Sequence, residues 1–254
     1  MKSPHYVIRG LFTVLSILAL TFGSLCWAAD EDKESDIAKR LDTSANVLNE
    51  IMGAPDSGIP DKVLDDAKCI AVVPSLVKFA IGVVGQHGKG VATCRTASGR
   101  WSAPAPITIT GGSWGLQLGG QATDLVMLVM NDNGMQHLLS SKFKIGADAS
   151  AAAGPVGRHA AADTDWKMKA EVLSYSRSRG IFAGIDLSGA AIHQDEDSTR
   201  LLYGGKMVSF KDLLNGKVLA TKDGEAFVGT VQKYAGPATR TGEAKPATTT
   251  SDQK

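Results

Sequence analysis

The chain has 254 residues, with 27 Lys and Arg against 26 Asp and Glu, and 43% of it is hydrophobic. A length of this order supports one good-sized core, and the near-zero net charge excludes the global basic excess of a nucleic-acid binder, so any anion site must be local. With 28 glycines and only 6% aromatics, tight turns and close backbone approach are expected, which favours a β-rich fold over a helical bundle.

Residues 1–28 read as a secretory signal peptide. Lys2 and Arg9 precede a largely apolar run from Leu11 to Leu25, and Cys26-Trp27-Ala28 supplies small residues for cleavage near Ala28. The run is short against the roughly 20 residues of a spanning helix. An uncleaved anchor and a lipoprotein acylated at Cys26 are the alternatives, the second disfavoured by the bulk of Leu25. Cleavage removes Lys2 and Arg9 and no acids, leaving 25 basic and 26 acidic residues. The expected location is the periplasm or the cell exterior.

From Asp36, apolar residues recur at helical spacing (Ile37, Leu41, Ala45, Leu48, Ile51), which predicts a helix over 36–52 ended by Gly53 and Pro55. "GIPDKVLDDAK" predicts a second short helix opened by Pro60. "CIAVVP" predicts a buried strand closed by Pro74. Strand and turn follow almost throughout: a hairpin around Ser98-Gly99, then "GLQLGG", "DLVMLVMNDNGMQHLL" with its Asn133-Gly134 turn signal, "KFKIGADASAAAGPVGR" and "YSRSRGIFAGIDLSGAAIHQD", which ends in a polar loop at 195–197. "SFKDLLNGK" predicts the last helix. The polar tail, residues 234–254, has no apolar period and is expected to be disordered. The expected fold is α+β: one β-rich domain over residues 30–220, of twisted antiparallel strands with N-terminal amphipathic helices and a short C-terminal helix. Gly and Ala stand where strands usually carry bulk, at Gly115, Gly119, Gly120, 146–154, Gly184 and Gly189. That predicts strands in close contact or coiled around a small core.

Cleavage leaves Cys69 and Cys94. In an oxidising compartment an even pair suggests one disulfide, with two buried thiols as the alternative.

Enzyme motifs fail on context. "GGSWG" centres Ser113 in a nucleophile-elbow pattern, but that chemistry needs a helix after the turn, and "LQLGGQ" is a poor one. "GVVGQHGKGV" lacks the Ser or Thr after Gly88-Lys89 and the Gly five residues earlier that a phosphate loop needs. His87, His137, His159 and His193 are scattered, so no metal site or cofactor is expected. Asp124 is expected to be a buried, hydrogen-bonded acid.

The remaining chemistry is cationic. Arg177 and Arg179 alternate, so an extended chain projects both from one face beside Tyr175, where two guanidinium groups can hold a phosphate. Lys142 and Lys144 have the same spacing. Arg158 follows a run of small residues, and Lys89 lies in what reads as a glycine loop. Convergence of these would make an anion-binding face. Alternatively each charge is a solvated strand exit, or pairs with acids such as Asp186 or those at 195–197.

"GKGV" at 88–91, "WSAPAPITI" at 101–109, "GGSWGLQLGGQATDLVMLVMN" at 111–131, "KFKIGADASAAAGPVGR" at 142–158 and "YSRSRGIFAGIDLSGA" at 175–190 occur in this order. As an ordered set they resemble the SYLF domain, over roughly residues 36–215. In fungi that domain is known as an actin-binding domain of endocytic proteins, and in animals and plants as a phosphoinositide-binding module. The resemblance implies a non-enzymatic lipid-binding domain in which an N-terminal amphipathic helix and nearby basic residues meet anionic lipid. Here that segment is the 36–52 helix, whose basic content is Lys39 and Arg40 beside Asp36, Asp42 and Glu50. The leader reads as bacterial, so actin and phosphoinositides are not carried over. The expected partner is an anionic lipid or membrane surface. An envelope protein or glycan partner is the alternative, and no nucleic acid is expected.

Overall fold

The computed structural model describes residues 36–54, 58–140, 142–156, 170–178, 181–184, 187 and 189–236. The leader, Arg158, Arg179, Asp186 and the tail beyond Gly236 lie outside the described residues.

The sequence period makes the first helix. In α1 (36–53), Ile37, Leu41, Val47, Leu48 and Ile51 are each at most 4% exposed, on one stripe. Burying each Leu or Ile contributes about 2 kcal/mol. This stripe is packed down on the domain. After α2 (Asp61–Asp66) come two very long strands, β1 (Cys69–Cys94) and β2 (Ala105–Val129), joined by a turn in which Gly99 takes a positive φ of 77°. They pair antiparallel from Cys69↔Val129 to Ala92↔Ala105.

An extended β1 would span about 80 Å. Its ends instead lie with the Cα atoms of Cys69 and Cys94 only 4.0 Å apart, joined by a disulfide. The ladder therefore doubles back on itself. Arg95 N donates to Lys68 O at 2.8 Å and closes the curl. Gly88 and Gly90 allow it: a Cβ on Gly90 would sit 2.2 Å from Val72 O, and one on Gly88 2.7 Å from Val73 Cγ1. These glycines are not among those at which the sequence predicts close approach; of the predicted stretch, Gly154 shows it, where a Cβ would sit 2.0 Å from the Tyr175 ring. Pro74, expected to end a strand, instead sits in a register shift between Val73 and Leu76, where a strand can carry a residue without an N–H.

The remaining strands are β3 (Lys142–Lys144), β4 (Ala151–Ala153), β5 (Val172–Ser178), β6 (Ile181–Gly184) and β7 (Ala190–Gln194), in the order β3-β7-β2-β5-β4, with β1 along β2 and β6 beside β5. Pairing is antiparallel except between β4 and β5. One face of this sheet, with Ile70, Val72, Val91, Val126, Leu128, Leu173 and Tyr175, is covered by α1, α2 and α6 (Lys222–Ala235). The other, with Val73, Ile107, Ile109, Leu125, Met127 and Ile192, encloses a second core with Phe143, Phe210 and Leu213. The fold is thus the expected α+β class.

Three helices stand where the sequence was read otherwise, and capping explains each. The Asn-Gly signal opens α3 (Asp132–Leu139): Asn131 accepts from Gly134 N at 2.9 Å, so it caps a helix. The polar loop at 195–197 is the start of α4 (Glu196–Leu202), capped by Asp195 on Ser198 N at 3.2 Å. After α5 (Phe210–Leu214), the expected last helix, α6 runs on to Ala235 from a Thr221 cap and buries Phe227 and Val231. The ordered chain passes residue 220, and Tyr234 is helical where the tail was expected to begin.

Candidate anion-binding face of the sheet

Strand register brings the lysines together. Lys142 on β3 pairs with His193 on β7, His193 with Thr108 on β2, and Thr108 with Lys89 on β1. Two residues along, Lys144 pairs with Ala191, Ala191 with Thr110, and Thr110 with His87. Residues opposite one another, and those two apart on a strand, share a face. All eight therefore lie on one side. Val91, two residues after Lys89, belongs to the helix-covered core. The strip is thus an extension of the sheet face that α1 covers elsewhere, and Lys89, Lys142, Lys144 and His87 are exposed there. The expected glycine loop around Lys89 is strand, with Gly88 and Gly90 turned to the neighbouring segment of β1.

The arginines have other employment. Arg40 of α1 donates to Asp195 Oδ2 at 3.0 Å and to Ser198 Oγ at 3.1 Å, and Lys89 Nζ lies 3.5 Å from the same carboxylate. Asp195 is 7% exposed in its side chain. Burial opposes its ionisation, but hydrogen bonds from Ser198 and the Arg40 charge outweigh that and hold its pKa below the ordinary carboxylate value. At the other end of α1, Arg177 pairs with Glu50 and donates to Asp124 Oδ2 at 3.0 Å, while Asp124 Oδ1 accepts from Ser75 N at 3.1 Å. Asp124, expected to be a buried, hydrogen-bonded acid, is hydrogen-bonded but only partly buried, with 21% of its side chain exposed. Two ionic clasps thus fix the ends of α1, and they take up Arg40 and Arg177. Among the described acids, Glu50 and Asp124 rather than those at 195–197 meet Arg177. Lys39 is exposed on α1.

His193 is the group that sequence reading passed over. Its Nδ1 is buried without a hydrogen-bond partner. Burial first, then Lys142 and His87, push its pKa below the ordinary histidine value against the pull of Asp195. The period-two spacing of His87 with Lys89 was the available signal, but only register tells which strands adjoin. Arg95 was missed too. It donates to the carbonyls of Leu64, Asp65, Ala67, Ala235 and Gly236, capping α2 and α6 together, and stacks 4.5 Å from the Trp101 ring centroid.

Ser113 is paired with Val84 in mid-ladder, so no strand–turn–helix elbow forms around it. Among the described residues no group of three or more His, Cys, Asp or Glu side chains could hold a metal ion, and no helix is long and apolar enough to cross a membrane.

The architecture defines a class: an α+β domain in which one curled sheet carries a helical layer on part of one face. The chain belongs to the SYLF domain family. Residues 110–234 match the family described as Ysc84, Las17-binding protein actin regulator. The chain is 30% identical over 190 residues to SH3 domain-containing YSC84-like protein 1 of Xenopus laevis, covering 72% of this chain and 56% of that protein. It is 34% identical over 173 residues to Protein YSC84 of Saccharomyces cerevisiae, covering 67% of this chain and 36% of that one. The human YSC84-like protein 1 is 29% identical over 175 residues, 66% of this chain and 51% of the relative. The chain spans about half the length of the curated animal relatives it matches. The family description gives Las17 binding and actin regulation, which are said of the proteins so described.

Proposed function

We propose that this protein is a non-enzymatic module of the bacterial cell envelope that binds anionic membrane surfaces. The observation that carries the reading is the gathering of Lys89, Lys142 and Lys144 on the uncovered end of one sheet face. Asp195 offsets part of Lys89, and no carboxylate pairs with Lys142 or Lys144 among the described ion pairs. Each such cation near an anionic surface is worth about 1 kcal/mol at moderate salt. The Cys69–Cys94 disulfide and the leader-like residues 1–28 support an oxidising compartment outside the cytoplasm. Lys39, on the exposed side of α1, adds a cation beside the docked helix.

Flotation of the chain starting at Ala29 with phosphatidylcholine vesicles, with and without phosphatidylglycerol, tests this. Binding is expected only with phosphatidylglycerol, weakened by salt. Lys142→Glu with Lys144→Glu is expected to lower it at least about tenfold. Equal binding to both vesicle types, or none by a folded sample, would sink the reading and turn the search to a protein partner.

A further inference from the structure

The basic face holds two groups whose charge is set by pH. His87 lies on the same strand and side as Lys89, and His193 stands directly between Lys142 and Thr108 in the row that ends at Lys89. Four strands bring these groups together: β1 supplies His87 and Lys89, β2 Thr108 and Thr110, β7 Ala191 and His193, and β3 Lys142 and Lys144. The nearby acid is Asp195 at the end of β7, already engaged by Arg40 of α1 and by Lys89. Asp148, in the turn after β3, accepts from Lys144 N at 2.7 Å. Glu196, at the start of α4, faces Arg200.

We propose that His87 and His193 complete this face as a proton-dependent site for lipid phosphate, so that the protein grips a phosphodiester membrane surface more tightly as pH falls. The inference rests on the membrane-surface reading above. With both rings neutral the face carries three lysines and one shared carboxylate. Protonation of the two rings adds two positive charges between and beside those lysines, which lifts the positive charge of a strip only a few residues across by more than half.

The free protein resists this step at His193. A second charge beside Lys142, in a ring whose Nδ1 is buried and unpartnered, is unfavourable without an anion. A layer of lipid phosphates supplies the missing counter-charge, and its negative surface potential also lowers the local pH. Proton uptake and phosphate binding therefore assist each other, as linkage requires. The site is spread over four strands with its lysines exposed, so it suits a surface of many phosphates better than one free anion.

The experiment is flotation with vesicles of phosphatidylcholine and phosphatidylglycerol, whose phosphodiester keeps its charge across the range used. It is run at about pH 7.5 and about pH 5.5, either side of the ordinary histidine value of about 6.5. The wild-type chain is compared with His87→Gln, His193→Gln and the double variant. The wild type is expected to bind about 25-fold more tightly at the lower pH once both rings are charged, since each added charge is worth roughly fivefold at the surface. The double variant is expected to lose the rise, its affinities at the two pH values lying within about twofold of each other. His87→Gln alone, at an exposed position, is expected to lose part of the rise, and it carries the test if His193→Gln does not fold.

A double variant that retains the full rise would overturn the inference. So would a wild type that binds anionic vesicles equally at both pH values, while leaving the membrane reading intact. Failure of the wild type to bind at either pH would overturn that reading as well. Inorganic phosphate should displace the protein no better than sodium chloride at matched ionic strength. Selective displacement would reassign the face to a soluble phosphate compound and overturn the membrane assignment.

Discussion

Two ends of the same sheet face carry the same kinds of side chain and use them differently. At the end under α1, Arg177 reaches Asp124 and Glu50, and nearer the rim Arg40 reaches Asp195. Arg177 stands two residues along β5 from the buried Tyr175, whose register partner is the buried Val126. At the open end, Lys142 and Lys144 stand on an edge strand with exposed side chains. Lys89 lies at the boundary and shares Asp195 with Arg40. A cation beside an apolar wall must be matched by a carboxylate, because desolvating it alone is costly. A cation over open water needs no such match and keeps its charge available. A basic residue in the sequence therefore indicates a ligand site only after its acidic partners are known.

The comparison makes graded predictions. Leu48→Ala, at the centre of the covered end, is expected to cost about 3 kcal/mol, measured by denaturant unfolding. A version beginning at Pro60, which lacks α1 altogether, is expected not to fold as a monomer, by circular dichroism. A cooperative melt of that version equal to the full chain's would show that the covered end needs no cover.

Asp195→Asn is expected to cost about 2–3 kcal/mol, because Arg40 would lose its buried partner. The sign of its pH dependence follows from a pKa held below the ordinary carboxylate value. The stability contributed by Asp195 is present above that ordinary value and is lost as pH falls through the folded-state value. Unfolding followed from about pH 6 down through the acid range should show a loss that Asp195→Asn flattens. An unchanged slope would remove Asp195 from the clasp.

Arg177→Gln is expected to cost about 1–2 kcal/mol and to leave vesicle affinity within about twofold, since the charge already faces two carboxylates. A large loss of binding with unchanged stability would reverse the contrast between the two ends. Smallest of all, Lys142→Glu with Lys144→Glu should change stability by less than about 0.5 kcal/mol while reducing anionic-vesicle binding. A melting temperature lowered by many degrees in that variant would mean the open end is structural as well.

Much of the fold was legible because it is local. The α1 stripe at Ile37, Leu41, Leu48 and Ile51 is a direct consequence of 3.6 residues per turn, and the boundary at Gly53 of glycine's weak helical preference. Cysteine parity gave the disulfide as the first alternative. Helices α3, α4 and α6 were missed because Asn131, Asp195 and Thr221 are turn residues as readily as caps, and α6 is too polar outside Phe227, Val231 and Ala235 to stand out by period. Pro74 misled because a proline ends a strand in most contexts and is absorbed by a bulge only when the partner strand permits the shift.

The candidate site divides in the same way. Lys142 and Lys144 were legible as a same-side pair, since alternation is a property of any extended chain, whereas His87 and Lys89 were hidden by the surrounding glycines, which read as a loop. That β7 lies between β3 and β2, placing His193 in line with Lys142 and Lys89, depends on the pairing of His193 with Lys142, 51 positions away, and with Thr108, 85 positions away. The sequence by itself determined which residues are apolar, which are charged, and the period with which they alternate, because those are properties of neighbours along the chain. The tertiary structure alone decided which arginines meet carboxylates, where β1 turns back on itself at Gly88 and Gly90, and which part of the sheet α1 leaves bare. Those outcomes are set by register and curl, and register is fixed by the burial of two whole faces at once rather than by any short stretch of residues.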